Sequence, residues 1–126
     1  MSRTVFLQAY FNTFHGFLDQ LSQVFPGDLD LPSYKAALSL VQRTHPMMAV
    51  NQVMETIVPF EAMILARDAD FFLKYGYSEF TAADTTLDPL IQKLKTMWVV
   101  LSAKNQEIVW EYITSLLRLG KKCQSL

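Results

Sequence analysis

Apolar positions recur along this chain with a helical period almost from end to end. From Thr4 to Val24, the residues Leu7, Phe11, Phe14, Leu18, Leu21 and Phe25 follow one another at spacings of four and three, which keeps them on one helical face. Phe6, Tyr10, Phe17 and Val24 widen that face beyond a coiled-coil seam and predict burial against several other helices. Gly16 costs this helix about 1 kcal/mol relative to alanine, which points to the close approach of another helix or to a kink. Pro26-Gly27 ends the element. Asp30, two residues before Pro32, is the expected N-cap of a second helix reaching Arg43, with Leu31, Tyr34, Leu38 and Val41 on one stripe. After the break at Thr44-His45-Pro46, a third helix carries Val50, Val53, Met54, Ile57 and Val58. Pro59 then removes a backbone donor and crowds the preceding turn, so a kink or a restart is predicted before the pattern resumes from Phe60 to Ala66.

Asp68 or Asp70 is expected to cap a short helical turn, Phe71-Phe72-Leu73-Lys74, stopped by Gly76. The small and hydroxyl residues from Tyr77 to Thr86 predict an irregular surface loop. Asp88-Pro89 is a clear start signal for a fourth long helix, whose inner face is Leu90, Leu94, Met97, Trp98 and Leu101. Ser102 caps a fifth, which directs Val109, Tyr112, Ile113, Leu116 and Leu117 inward and is expected to end at Gly120. Lys121 and Lys122 follow where the helix dipole favours cations. Leu90 to Lys122 therefore reads as a helical hairpin. No stretch alternates with a period of two, so no sheet is predicted. The expected architecture is all-α: one domain over residues 1–126, a compact bundle of five to six helices with the C-terminal hairpin packed on the aromatic first helix.

Composition agrees with a globular chain, since 51% of the 126 residues are apolar and 18% charged. A net charge of −1 argues against a dominant electrostatic footprint for nucleic acid or acidic membranes. The charges are unevenly placed, however. Residues 1–92 hold five basic and ten acidic groups, whereas residues 93–126 hold six basic and two acidic. Internal pairing of the two parts is the first reading of that asymmetry. The single cysteine, Cys123, has no partner for an internal disulfide, and Met1–Tyr10 lacks the charged and apolar regions of a secretion signal, so an intracellular location is expected. Every apolar stretch is broken within a dozen residues, too short for a membrane span.

Few residues offer chemistry. His15 and Asp19 lie one helical turn apart, a spacing that can orient an imidazole as a base, but no serine or cysteine shares that face within a turn of His15, which makes a structural pair the better reading. His45 precedes a proline at a helix start and is read as exposed or capping. His15, His45 and Cys123 are scattered without a zinc-ligand spacing, and Glu61, Asp68 and Asp70 lack the loop of a calcium site. Four dispersed glycines form no phosphate cradle. No catalytic residue, metal or cofactor is therefore expected. The basic set Lys93, Lys95, Lys104, Arg118, Lys121 and Lys122 carries interleaved aromatics but no single groove-facing stripe, which leaves nucleic-acid association as an alternative. The apolar faces exceed what one bundle seam uses, and this surplus points to burial against a protein partner or a second copy. The candidate contact residues are the aromatic cluster Phe71, Phe72, Tyr75, Tyr77 and Phe80, together with Trp110 as a partly exposed interface anchor.

The order of these motifs resembles a family. An aromatic-rich helix ends in VFPGDLDL; YKAAL, THP, IVPFE and RDADFFL follow; KLKTMWVVLSAKNQEIVWEYITSLLRLGKK closes the chain. This is similar to the small all-helical proteins of nucleocytoplasmic large DNA viruses of algae and protists, which show an FP-D turn, a late acidic-FF element and a terminal hairpin with Trp, Ser and Trp in that order. The segment Tyr77–Thr86 departs from that pattern. The resemblance implies a viral origin and carries over no catalytic or binding residue. The function expected from both readings is a non-enzymatic viral protein-interaction module, a minor virion or capsid-associated protein, present in host cytoplasm or virion. The alternative is a nucleic-acid-associated accessory protein that uses the basic C-terminal hairpin.

Overall fold

The structure, a computed structural model, describes residues 2–74 and 88–125, with the side chains of Phe71, Phe72, Lys74, Asp88 and Pro89 left aside. The described residues form an all-α bundle: α1 (Arg3–Val24), α2 (Asp30–Thr44), α3 (Pro46–Ile57), a 3-10 turn (Val58–Phe60), α4 (Glu61–Ala66), α5 (Ala69–Lys74), α6 (Asp88–Trp98) and α7 (Ala103–Ser125). The predicted stop at Gly76 and the loop from Tyr77 to Thr86 lie outside the described residues.

Helix α1 is the spine. Tyr10, Phe11, Phe14, Phe17, Leu18 and Leu21 are all buried along it, and its principal neighbours are α7 and α2. Its wide aromatic face is thus consumed by the chain's own helices, and much of the apolar surplus read from the sequence becomes core. Gly16 sits where α7 crosses. A Cβ there would lie 3.4 Å from the Tyr112 ring and hydroxyl, an ordinary contact distance, and Tyr112 also packs on Phe17 with ring centroids 5.6 Å apart. Because the site has just enough room, Gly16→Ala is expected to stabilise the protein by up to about 1 kcal/mol through helix propensity. Denaturant unfolding of the variant checks this.

Two predicted boundaries move. The carboxylate that caps α2 belongs to Asp28, not Asp30: Asp28 Oδ1 accepts the N–H groups of Asp30 (2.9 Å) and Leu31 (3.3 Å). Asp30 itself lies inside the first turn. At the other end of the chain, α7 does not stop at Gly120 but runs to Ser125. No glycine adopts positive φ among the described residues, so Gly120 is not a helix terminator. It is where α3 presses on α7: a Cβ at Gly120 would overlap Met54 Sδ and stand 3.0 Å from Met54 Cγ. Cys123, fully buried one turn later, anchors the added turn.

Other signals hold. Pro59 produces the predicted restart, as a 3-10 turn between α3 and α4. Helix α4 closes with Arg67 in the left-handed region at φ 55°. There the N–H of Asp68 reaches Met63 O at 3.0 Å, satisfying a carbonyl of the last turn. Asp68 directly precedes α5 and Asp70 lies in its first turn. Ser102 Oγ accepts the Asn105 N–H at 3.2 Å, the predicted cap of α7.

Charge asymmetry also resolves partly as pairing. Lys93 on α6 donates to Asp28 (2.7 Å) and Asp30 (2.9 Å), and Lys121 on α7 pairs with Glu61. Arg67–Glu107 runs the opposite way, a base of the acidic part meeting an acid of the basic part. Lys93 and Asp28 are only 20% and 17% exposed, so their attraction is less screened than that of a surface pair. Lys93, with help from the backbone N–H groups of Asp30 and Leu31, holds the Asp28 carboxyl below its ordinary value; Asp28 and Asp30 together raise Lys93 above its own. The carboxylate contribution is therefore complete above about pH 3.9 and is lost as pH falls through the lowered value, whereas the lysine contribution is complete below about pH 10.4 and is lost as pH rises through the raised one. Lys93→Met is expected to cost about 1–2 kcal/mol at neutral pH, between exposed and buried pairs. It should also flatten the acid limb of stability below about pH 4. Unfolding curves of wild type and variant across pH test both statements.

Candidate functional site

The break at Pro59 shapes the most distinctive interior feature. The chain restarts there as a 3-10 turn, and Phe60 and Met63 line, with Val53 and Ile57 of α3 and residues of α1, α6 and α7, a cavity of about 130 Å³. Trp98 and Trp110 line it, packed edge to face with centroids 5.2 Å apart and an interplanar angle of 69°. No polar surface faces the cavity. Thr56 is the single hydroxyl among the lining residues, and it donates to Gln52 O at 3.1 Å within α3.

A second feature is the turn between α6 and α7. Val99 and Val100 are 72% and 68% exposed, while Leu101 beside them is buried. The turn is tied down: Gln106 Nε2 donates to Trp98 O at 3.0 Å and to Leu101 O at 3.4 Å. The Arg67–Glu107 ion pair brings the end of α4 alongside the first turns of α7, and Leu65, just before Arg67, is half exposed.

The predicted contact residues fare differently. Trp110 is not partly exposed: at 6% exposure it belongs to the core, because Trp98 and the cavity wall enclose it. The side chains of Phe71, Phe72, Tyr75, Tyr77 and Phe80 lie outside the described residues. The exposed valine pair was missed at the sequence level. Its signal was the WVVLS stretch, in which two β-branched residues fall between the last inward position of one helix and the cap of the next.

His15 and Asp19 do not form a dyad. His15 Nε2 lies 3.2 Å from Gln42 Oε1 on α2, within hydrogen-bond distance, and Asp19 accepts from Lys35 at 2.6 Å. His45 is exposed and its side chain makes no cap bond. No three His, Cys, Asp or Glu residues stand close enough to hold a metal ion among the described residues. Among the same residues, no helix is long and apolar enough to cross a membrane.

Tyr10 is fully buried, and its hydroxyl meets no hydrogen-bond partner among the described residues. Burial, and secondarily the neighbouring Cys123, raises its pKa far above the ordinary phenol value, so it stays neutral. Burial likewise raises the Cys123 thiol, leaving little of the thiolate that reactive cysteines use. Tyr10→Phe keeps the ring and removes a desolvated hydroxyl. It is expected to stabilise the protein by about 1–2 kcal/mol, measurable as a higher denaturant midpoint at unchanged slope.

Comparison with known proteins finds no matching family model, no similar curated protein and no similar solved structure.

Proposed function

We propose that the chain is a non-enzymatic protein-interaction module whose contact surface is the tip of the α6–α7 hairpin. The observation that carries this reading is the adjacent pair Val99 and Val100, largely in solvent on a turn that Gln106 and Ser102 hold in place. A rigid aliphatic pair loses little conformational freedom when a partner covers it, and single exposed apolar residues elsewhere need no such explanation. The diversion of His15 to Gln42 and of Asp19 to Lys35 supports the non-enzymatic part. A photo-crosslinking residue at position 100, introduced in the cell of origin, is expected to capture a discrete protein or a second copy of the chain. The same residue at exposed Lys122 is the control, and equal capture at both positions sinks the reading.

On the viral resemblance, the partner is a particle component and the chain a minor virion or capsid-associated protein, found in host cytoplasm or virion. Mass spectrometry of purified particles tests that placement. The nucleic-acid alternative draws on exposed Lys104, Arg118 and Lys122. Lys104 and Lys122 lie about 27 Å apart along α7 at 1.5 Å per residue, and Lys93 and Lys121 are engaged with acids. Affinity for DNA or RNA that falls steeply with salt is the mark of this alternative.

A further inference from the structure

We propose that the cavity lined by α1, α3, α4, α6 and α7 is a binding site for a small apolar molecule, about the size of benzene or toluene. Three observations converge on it. Its volume, about 130 Å³, is close to that of apolar cavities that admit a single aromatic ring. Its lining presents no polar surface, so a water molecule inside would find none of the two to four partners that buried water needs. It is nevertheless partly open, which provides a route for a ligand that need not unfold the bundle.

The walls are pre-formed. Phe14, Phe17, Ile64, Val109 and Leu116 are each buried by the helices that carry them, so a ligand orders few side chains on arrival. The edge-to-face pair Trp98 and Trp110 leaves aromatic surface on the cavity side, which favours an aromatic occupant through offset or edge contacts. Selectivity follows from the same chemistry. No polar surface of the lining faces the cavity, so a hydroxyl lodged against its walls would be stripped of water and left without a partner. The site therefore takes hydrocarbons and rejects their hydroxylated analogues.

The test uses the whole chain, toluene and p-cresol, with thermal unfolding and tryptophan fluorescence as readouts. Toluene is expected to raise the midpoint saturably and to perturb the Trp98–Trp110 emission, and p-cresol to bind at least tenfold more weakly, as one unpartnered hydroxyl implies. Val109→Leu adds a methylene into the cavity; it should fold with an equal or higher midpoint and lose the toluene effect. Val53→Ile, on another wall, is a second filling variant if Val109→Leu does not fold. The proposal is overturned by the absence of a saturable toluene shift, by equal binding of p-cresol, or by a toluene shift that survives in the filled variants.

Discussion

Trp110→Ala is expected to lower the stability of the protein by about 3–5 kcal/mol, a large share of the roughly 5–15 kcal/mol that holds a domain of this kind together. The indole is 6% exposed and stands edge to face against Trp98. Its removal takes away a large apolar area and an aromatic contact worth about 0.5–1.5 kcal/mol. The void it leaves merges with a cavity that is already present, and a core that has not collapsed around the existing space has little means of closing a larger one. Trp110→Phe keeps part of the ring contact and should lose less. Equilibrium denaturation by urea, followed by circular dichroism, measures both variants. A Trp110→Ala loss below about 0.5 kcal/mol, the range of surface substitutions, would return Trp110 to the role of an exposed anchor.

Gly120→Leu is expected to destabilise by about 3 kcal/mol, the upper part of the range for overpacking. In an exposed helix interior, replacing glycine gains roughly 1 kcal/mol, so the sign of the effect reports on α3. Met54 is almost fully buried, and although its outer atoms are flexible they have no solvent to retreat into. Even Gly120→Ala places its methyl carbon on Met54 Sδ. The decisive experiment is a double-mutant cycle. Met54→Ala alone should cost about 2–5 kcal/mol as a core truncation, but Gly120→Leu added to it should fill the vacated space and cost far less than it does alone. Additive effects would mean that the two residues do not touch. Gly16→Ala is the internal control for Gly120→Ala, since its methyl carbon meets Tyr112 at an ordinary distance and should stabilise.

These two glycines show how far the sequence can be read. Periodicity assigns Gly16, in mid-helix, a cost and a reason, whereas Gly120 lies where the pattern reads equally as a helix end. At Gly16 the inferred close approach of another helix is what the structure contains. At Gly120 the same residue type was read as a terminator, because two lysines follow it and the last large apolar positions lie just before it. The pattern Leu116, Leu117, Gly120, Cys123 was available as a continuing inward stripe, but a glycine contributes no hydrophobicity to a stripe and hides its continuation. Asp28 was likewise legible as a polar residue in a turn; that it, and not Asp30, caps α2 depends on the path by which the chain leaves α1.

The candidate site was less legible than the fold. A cavity is a property of what several helices fail to fill, and no single segment encodes it. Phe14, Val53, Phe60, Leu94 and Trp110 each read as ordinary core residues, and only their mutual placement leaves about 130 Å³ between them. The exposure of Val99 and Val100 follows from where two helices end relative to each other, and that also is not a local property.

By itself, the sequence determined the all-α class, the helix starts at Pro46, Asp88 and Ser102, the restart at Pro59 and the inward faces of α1, α6 and α7, because period, capping and proline geometry act within a few residues. Tertiary structure decided that α1 lies between α2 and α7, that Lys93 clamps Asp28, that α7 continues past Gly120 and that Trp110 is buried beside an apolar cavity. Those outcomes depend on which faces meet across the bundle, and packing between helices distant in sequence is governed by shape and volume that no local pattern records.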